Sequence, residues 1–123
     1  MLFDTYAWVE LLLATEKGSR VAELMKAENP SISIASIPEL VSWTLRNGKD
    51  HEMILHKVKS VAVVLPLSNQ IAELAGEMHY RTKQRIHDWG MVDSMIYSTA
   101  LTYDLKFVTG DPHFEGMRNV IFL

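Results

Sequence analysis

The sequence predicts an α/β domain built on a parallel sheet, on three observations. Short β-branched or apolar runs alternate with segments of helical period along the whole chain. Turn and cap signals punctuate the junctions at Gly18-Ser19, Asn29-Pro30, Asn47-Gly48, Ser68 and Asp88-Trp89-Gly90. A length of 123 residues suits one compact domain, residues 1–123, with no repeat, low-complexity stretch or linker to divide it. Strand–helix alternation of this kind is satisfied by a sandwich, because helices must cover both faces of a parallel sheet.

Met1-Leu2-Phe3 reads as a short strand ending at Asp4. A helix follows over Thr5 to Thr15, with Ala7, Trp8, Leu11 and Leu12 on one stripe, and a second over Ser19 to Ala27. Ile32 and Ile34 alternate in a strand over Ser31 to Ala35. Ser36-Ile37-Pro38-Glu39 has the pattern of a capping box, opening a helix that stops at Asn47-Gly48. A helix over Asp50 to Lys59 leads into Val61 to Leu65, a continuous run expected to be a strand buried on both faces. Ser68 caps a long helix to Ile86, and a helix over Val92 to Tyr103 follows the turn at Trp89. Lys106 to Thr109 and Val120 to Leu123 complete the strands around a loop from Gly110 to Gly116.

Composition narrows the chemistry. With no cysteine there is no disulfide, thiolate zinc site or cysteine nucleophile, and a reducing cytoplasm is the expected location. No basic, apolar leader opens the chain, and Asp4 and Glu10 interrupt its first apolar stretch. No run approaches the roughly 18 apolar residues of a membrane span, so no membrane partner is expected. The net charge of −3 does not advertise nucleic-acid binding. That objection weakens if several acids share a site in which divalent ions cancel their charge.

Four of the 15 acidic residues stand apart from plausible solvent faces. Asp4 ends the first strand, Glu39 and Asp93 fall in first turns of helices, and Asp111 follows the fourth strand. Ligands of open α/β sheets bind beyond the carboxyl ends of the strands, and all four acids belong on that rim. Carboxylates gathered there repel and take up protons unless a cation joins them. Hard oxygen ligands suit Mg²⁺ or Mn²⁺, which can activate water for hydrolysis of a phosphodiester. Each acid also has a structural alternative. Asp4 could cap its helix and Glu39 complete the capping box, while Asp93 could answer a helix dipole and Asp111 start a turn at Pro112.

The blocks Leu2-Phe3-Asp4-Thr5, Ile37-Pro38-Glu39-Leu40, Val92-Asp93-Ser94-Met95-Ile96-Tyr97-Ser98-Thr99-Ala100 and Val108-Thr109-Gly110-Asp111-Pro112-His113-Phe114 resemble the signatures of PIN-domain nucleases. The likeness is greatest to VapC-like toxins of prokaryotic toxin–antitoxin pairs, with an archaeal look, and spans the whole chain. The resemblance implies a three-layer α/β/α sandwich with a five-stranded parallel sheet in order 3-2-1-4-5. It implies Asp4, Glu39, Asp93 and Asp111 as catalytic metal ligands for Mg²⁺ or Mn²⁺, and RNA as substrate. It further implies a homodimer and a cognate antitoxin as partners. Thr109 fits the family's usual hydroxyl two residues before the last acid, as a support for the ligands. Many relatives carry serine two positions after the first acid. Tyr6 stands there, and Thr5 is the available hydroxyl.

Other residues have weaker claims. Asp88 could be a fifth ligand but suits a turn. No pair among His51, His56, His79, His87 and His113 has zinc-helix spacing, and His113 suits a surface loop near Asp111. Arg81, Lys83 and Arg85 could meet RNA phosphates, although such a run more often marks a solvated helix face. Trp8, Trp43 and Trp89 could stack on bases; Trp8 and Trp43 share stripes with aliphatic residues and so suit a core or dimer interface. Three rivals to a toxin ribonuclease remain: a housekeeping nuclease of the same fold, a catalytically idle RNA-binding module, and a magnesium-binding signalling receiver. The receiver lacks an acidic neighbour to Asp4 and an acceptor aspartate after the third strand, where Leu65-Pro66 stands.

Overall fold

The computed structural model describes residues 1–123. Five short strands, β1 (Leu2–Phe3), β2 (Ser31–Ser33), β3 (Val63–Leu65), β4 (Phe107–Thr109) and β5 (Val120–Phe122), form one sheet in the order β3-β2-β1-β4-β5. Every pairing is parallel, with Leu2 opposite both Ser31 and Phe107. The helices are α1 (Thr5–Leu12), α2 (Glu16–Ala27), α3 (Ser36–Arg46), α4 (His51–Val61), α5 (Asn69–Lys83) and α6 (Met91–Thr102). A 3₁₀ turn covers Pro112–Phe114.

The period-2 alternation of the central strands divides the apolar interior in two. Phe3 and Val108 point into a cluster with Ile32 of β2 and with Ala7, Trp8, Val21, Leu40, Ile54 and Val58 of α1 to α4. Their neighbours Leu2 and Phe107 point the other way, to Trp89, Ile96, Tyr97, Ala100 and Phe114. Helices therefore cover both faces, giving the three-layer sandwich. Because β1 and β4 lie at the centre of the sheet, their carboxyl ends deliver Asp4 and Asp111 to its middle. Phe114 anchors the loop after β4 by packing on Phe107 and Trp89, with ring centroids 4.8 and 4.9 Å away.

Several local expectations change. The helix after β2 begins at Ser36 itself, so the capping box does not form: no side chain caps α3, and the buried Ser36 hydroxyl has no partner. Glu39 is drawn instead to Thr5. The run from Val61 to Leu65 is not one doubly buried strand. Val61 ends α4, and β3 is an edge strand with Val63 59 % exposed. Gly18 is no break either, since it lies inside α2, where α1 passes so close that a Cβ would sit 2.2 Å from the Glu10 carbonyl oxygen. Thr15, within the span expected for the first helix, instead caps α2, its hydroxyl oxygen accepting from the Gly18 N–H.

Candidate functional site

A pocket of about 280 Å³ opens beyond the carboxyl ends of the central strands, and Asp4, Glu39, Asp93 and Asp111 all line it. Four separate stretches of chain meet there, as strand-end placement requires. Half of the lining is apolar, including Val9, Ile96 and Phe114.

Asp4 forms the floor. It is buried, and both its oxygens are engaged: Oδ1 accepts from the Ala7 N–H at 2.8 Å and Oδ2 from the Thr109 hydroxyl at 2.5 Å. The first bond is a helix N-cap, so Asp4 has a structural role as well as a place in the pocket. Thr109 Oγ1 also accepts the Asp111 N–H at 3.0 Å, so one hydroxyl ties the two strand-end acids together. Glu39, in the first turn of α3, accepts from the Thr5 hydroxyl through Oε1 at 2.7 Å and keeps Oε2 free. The hydroxyl after the first acid thus serves Glu39. Tyr6, in the place of the usual serine, is a wall of the pocket: a Cβ on Gly110 would lie 2.3 Å from its ring.

Asp93, in the first turn of α6, is half-buried, and its side chain accepts no side-chain hydrogen bond. Asp111 caps the 3₁₀ turn through Oδ1, which meets both the His113 N–H at 3.0 Å and His113 Nδ1 at 2.8 Å. His113 Nε2 reaches Asp88 Oδ2 at 2.9 Å. Asp88 therefore does not join the pocket; it holds the far side of a histidine that holds Asp111. This bridge, joining residues 25 positions apart, has no signature in the sequence.

The electrostatics follow from burial. Desolvation lifts Asp4 to about 7, with the charges of Asp111 and Asp93 adding and the Thr109 and Ala7 hydrogen bonds opposing. Burial, then repulsion from Asp111 and Glu39, raises Asp93 to about 6, against the Gly90 backbone, which lowers it. His113 is raised first by its bond to Asp88, and Asp88 is lowered by the same bond.

The donors are all oxygen, a set that fits hard divalent ions. No three acids or histidines converge closely enough to enclose one ion by themselves. Mg²⁺ does not require that, because it keeps several waters and binds through one or two carboxylates. Glu39 Oε2 and Asp111 Oδ2 are free of hydrogen bonds to other side chains and to backbone N–H groups, and the Asp93 carboxylate has only the Gly90 backbone beside it.

The remaining candidates divide plainly. Trp8 and Trp89 are core residues, Trp89 donating its indole N–H to Ser94 at 2.6 Å. Trp43, expected in a core or dimer interface, is half-buried and lines the pocket, as does Arg46, which the sequence reading missed; their spacing after Glu39 puts all three on one helix face without saying what that face meets. Arg81, Lys83 and Arg85 are exposed, and Arg81 lies 3.6 Å from Glu77.

The sequence model of the PIN domain family matches residues 1–120. No curated protein matches at the level of sequence. Three solved structures share the fold. A toxin–antitoxin complex from Klebsiella pneumoniae is 20 % identical at a TM-score of 0.76, covering 98 % of this chain and 94 % of its own. VapBC2 from Rickettsia felis, bound to a DNA fragment from its promoter, is 20 % identical at 0.77, covering 99 % and 96 %. The sarcin–ricin loop-cleaving toxin VapC20 of Mycobacterium tuberculosis is 14 % identical at 0.75, covering 95 % and 94 %.

Proposed function

Since the chain belongs to the PIN domain family, we propose that it is a divalent-metal-dependent ribonuclease acting as the toxin of a toxin–antitoxin pair. The observation that carries this reading is the meeting of Asp4, Glu39, Asp93 and Asp111 in one pocket. Burial and mutual repulsion raise Asp4 and Asp93 well above the ordinary carboxylate range. A pocket under such strain gains most from a cation, which removes the repulsion and the protonation together.

Asp93, Asp111 and Glu39 offer their free oxygens to Mg²⁺ or Mn²⁺, and Asp4 presents negative charge from beneath. A bound ion supplies Lewis-acid activation of water and of the phosphodiester. The chain's own residues orient the carboxylates. Thr5 fixes Glu39, Thr109 fixes Asp4, and His113 fixes Asp111. In the hydrolysis, a water oxygen bonds to phosphorus, the existing ester P–O bond breaks, and the departing oxygen takes up a proton. Thr109, spanning Asp4 and Asp111, is a positioning residue in this scheme.

The neighbours supply the biological frame. Structures described as toxin–antitoxin and VapBC complexes support an antitoxin partner, and one described as cleaving the sarcin–ricin loop supports RNA as substrate. Self-association is part of the proposal, and exposed apolar side chains such as Ile34, Val61 and Val63 are available for it. No helix is long and apolar enough to cross a membrane.

Purified protein should cut unstructured RNA in Mn²⁺ or Mg²⁺, stop in excess chelator, and lose cleavage on Asp93→Asn. RNA left intact in every divalent ion would reduce the protein to a binding module of this fold. Undiminished cutting by the variant would remove the carboxylate mechanism.

A further inference from the structure

We propose that α3 carries a nucleotide track beside the carboxylates, on which unpaired RNA stacks a base against Trp43 and places a phosphate on Arg46. The inference rests on the ribonuclease reading and adds to it the strand state of the substrate and two residues that hold it.

Residues 39, 43 and 46 fall on one helix face, and all three line the pocket. At about 1.5 Å per residue, Trp43 stands about 6 Å and Arg46 about 10.5 Å along the axis from Glu39. The stripe thus runs outward as acid, aromatic, cation. Trp43 packs one part of its ring against the apolar cluster under α3 and remains half-buried, while Trp8 and Trp89 are each 1 % exposed.

Arg46 is the one basic residue lining the pocket, and its exposed guanidinium has no acidic partner. A cation in the last turn also answers the helix dipole, but any position in that turn would do so. Its place on the Glu39 stripe puts it where a polyanion entering an acidic pocket needs a counter-charge. Tyr6 adds a second aromatic wall, its hydroxyl accepting from Lys17 Nζ at 3.1 Å.

A half-apolar pocket whose two partly exposed aromatic residues are Tyr6 and Trp43 suits a base as well as phosphates. Bases within an A-form stem are already stacked, and its deep major groove admits no side chain. The track therefore takes loops and single strands. Its chemistry is indifferent to sequence, because stacking uses the face that every base has and Arg46 meets only the backbone.

The test uses the full chain. Trp43→Leu keeps apolar packing and removes the stacking face; Arg46→Gln removes an exposed charge. Each should raise KM for an unstructured oligoribonucleotide roughly tenfold and leave kcat within about twofold, as loss of uniform binding requires. Trp43→Phe should restore most of the loss. Titrating the oligonucleotide in chelator should quench tryptophan fluorescence in the wild type and not in Trp43→Phe. Arg46→Gln should lower the slope of log affinity against log salt by about one. Cutting by the wild type with unchanged KM in Trp43→Leu and Arg46→Gln, or a preference for the annealed duplex, would overturn the track and leave the nuclease standing. A wild type that cuts no RNA in any divalent ion would overturn the nuclease reading and the track with it.

Discussion

The floor and the rim of the pocket hold the same kind of group in opposite ways. On the floor, Asp4 is buried and both oxygens accept hydrogen bonds, from Ala7 and from Thr109. On the rim, Asp93 is half-buried and receives no side-chain bond, and Glu39 and Asp111 each keep one oxygen free. The floor acid is held through both oxygens before any ligand arrives, whereas Glu39 and Asp111 are held through one oxygen and leave the other open. The difference teaches how a small domain divides its labour: a fully hydrogen-bonded acid at the centre of the sheet ties β1 to β4, and carboxylates with an open oxygen above it are left for a ligand. Substitutions on the floor should disturb stability and activity together, and substitutions on the rim should separate them.

Asp93→Asn is the sharpest separation. Its carboxylate is raised to about 6 by burial and by Asp111 and Glu39, so its charge works against the folded state at neutral pH. Neutralising it should cost cleavage at least a hundredfold, on the scale of losing one transition-state charge contact. The metal-free protein should meanwhile melt at the same temperature or higher, by calorimetry at pH 7.5. A lower melting temperature would mean that the rim, like the floor, is part of the scaffold.

Thr109→Val probes the floor. Valine keeps the shape but leaves Asp4 Oδ2 and the Asp111 N–H without their shared partner. The expected cost is about 1–3 kcal/mol, the usual penalty for stranding a buried polar group. Activity should fall with stability, and Thr109→Ser should recover both. Denaturant unfolding and cleavage rates of the two variants check this.

The four acids were legible because Asp4 and Asp111 follow apolar strands and Glu39 and Asp93 open helices; each position alone has a structural explanation, but all four belong on one rim of the sheet. The layered fold was legible for a related reason: Leu2-Phe3 and Phe107-Val108 supply apolar residues to both faces. What escaped depends on tertiary proximity. Nothing local distinguishes Val61 as the end of α4 from Val61 as the start of a strand, because a short β-branched run fits both. Ser36 and Glu39 match a capping box, yet Thr5, 34 residues away from Glu39, offers the better partner. Gly18 resembles a break until α1 is seen pressing on it. The helical spacing of Glu39, Trp43 and Arg46 was visible, but whether that face met the core or the pocket was not.

The floor should also dominate the response to pH. Asp4 at about 7 and Asp93 at about 6 both lie above the ordinary carboxyl value of 3.8. A folded state with raised carboxyl values binds protons that the unfolded chain releases. Stability of the metal-free protein should therefore rise as pH falls from 8 through 7 and 6 towards 5, and should be lowest above 7, where the penalty is complete. Melting temperatures by circular dichroism should differ by several degrees between pH 8 and pH 5. Asp4→Asn should flatten the upper part of the curve, and millimolar Mn²⁺ should flatten all of it by stabilising the ionised forms. A maximum at pH 8 without metal would show that the floor carboxylate is not strained.

The smallest effect should come from the outermost support. His113 joins Asp111 at 2.8 Å to Asp88 at 2.9 Å, but Asp88 is exposed, and bonds at such a position are weakened by competition with water. Asp88→Asn keeps an oxygen that can accept from His113 Nε2 and removes only the charge. It should change cleavage by less than about threefold and leave the melting temperature unchanged within a degree. His113→Phe should do more, because it also takes away the ring nitrogen that meets Asp111 Oδ1; the backbone N–H of residue 113 still caps that oxygen, so Asp111 loosens without being lost. If Asp88→Asn instead matched Asp93→Asn in its damage, Asp88 would itself meet the ligand, and the boundary of the rim would have to be drawn to include it.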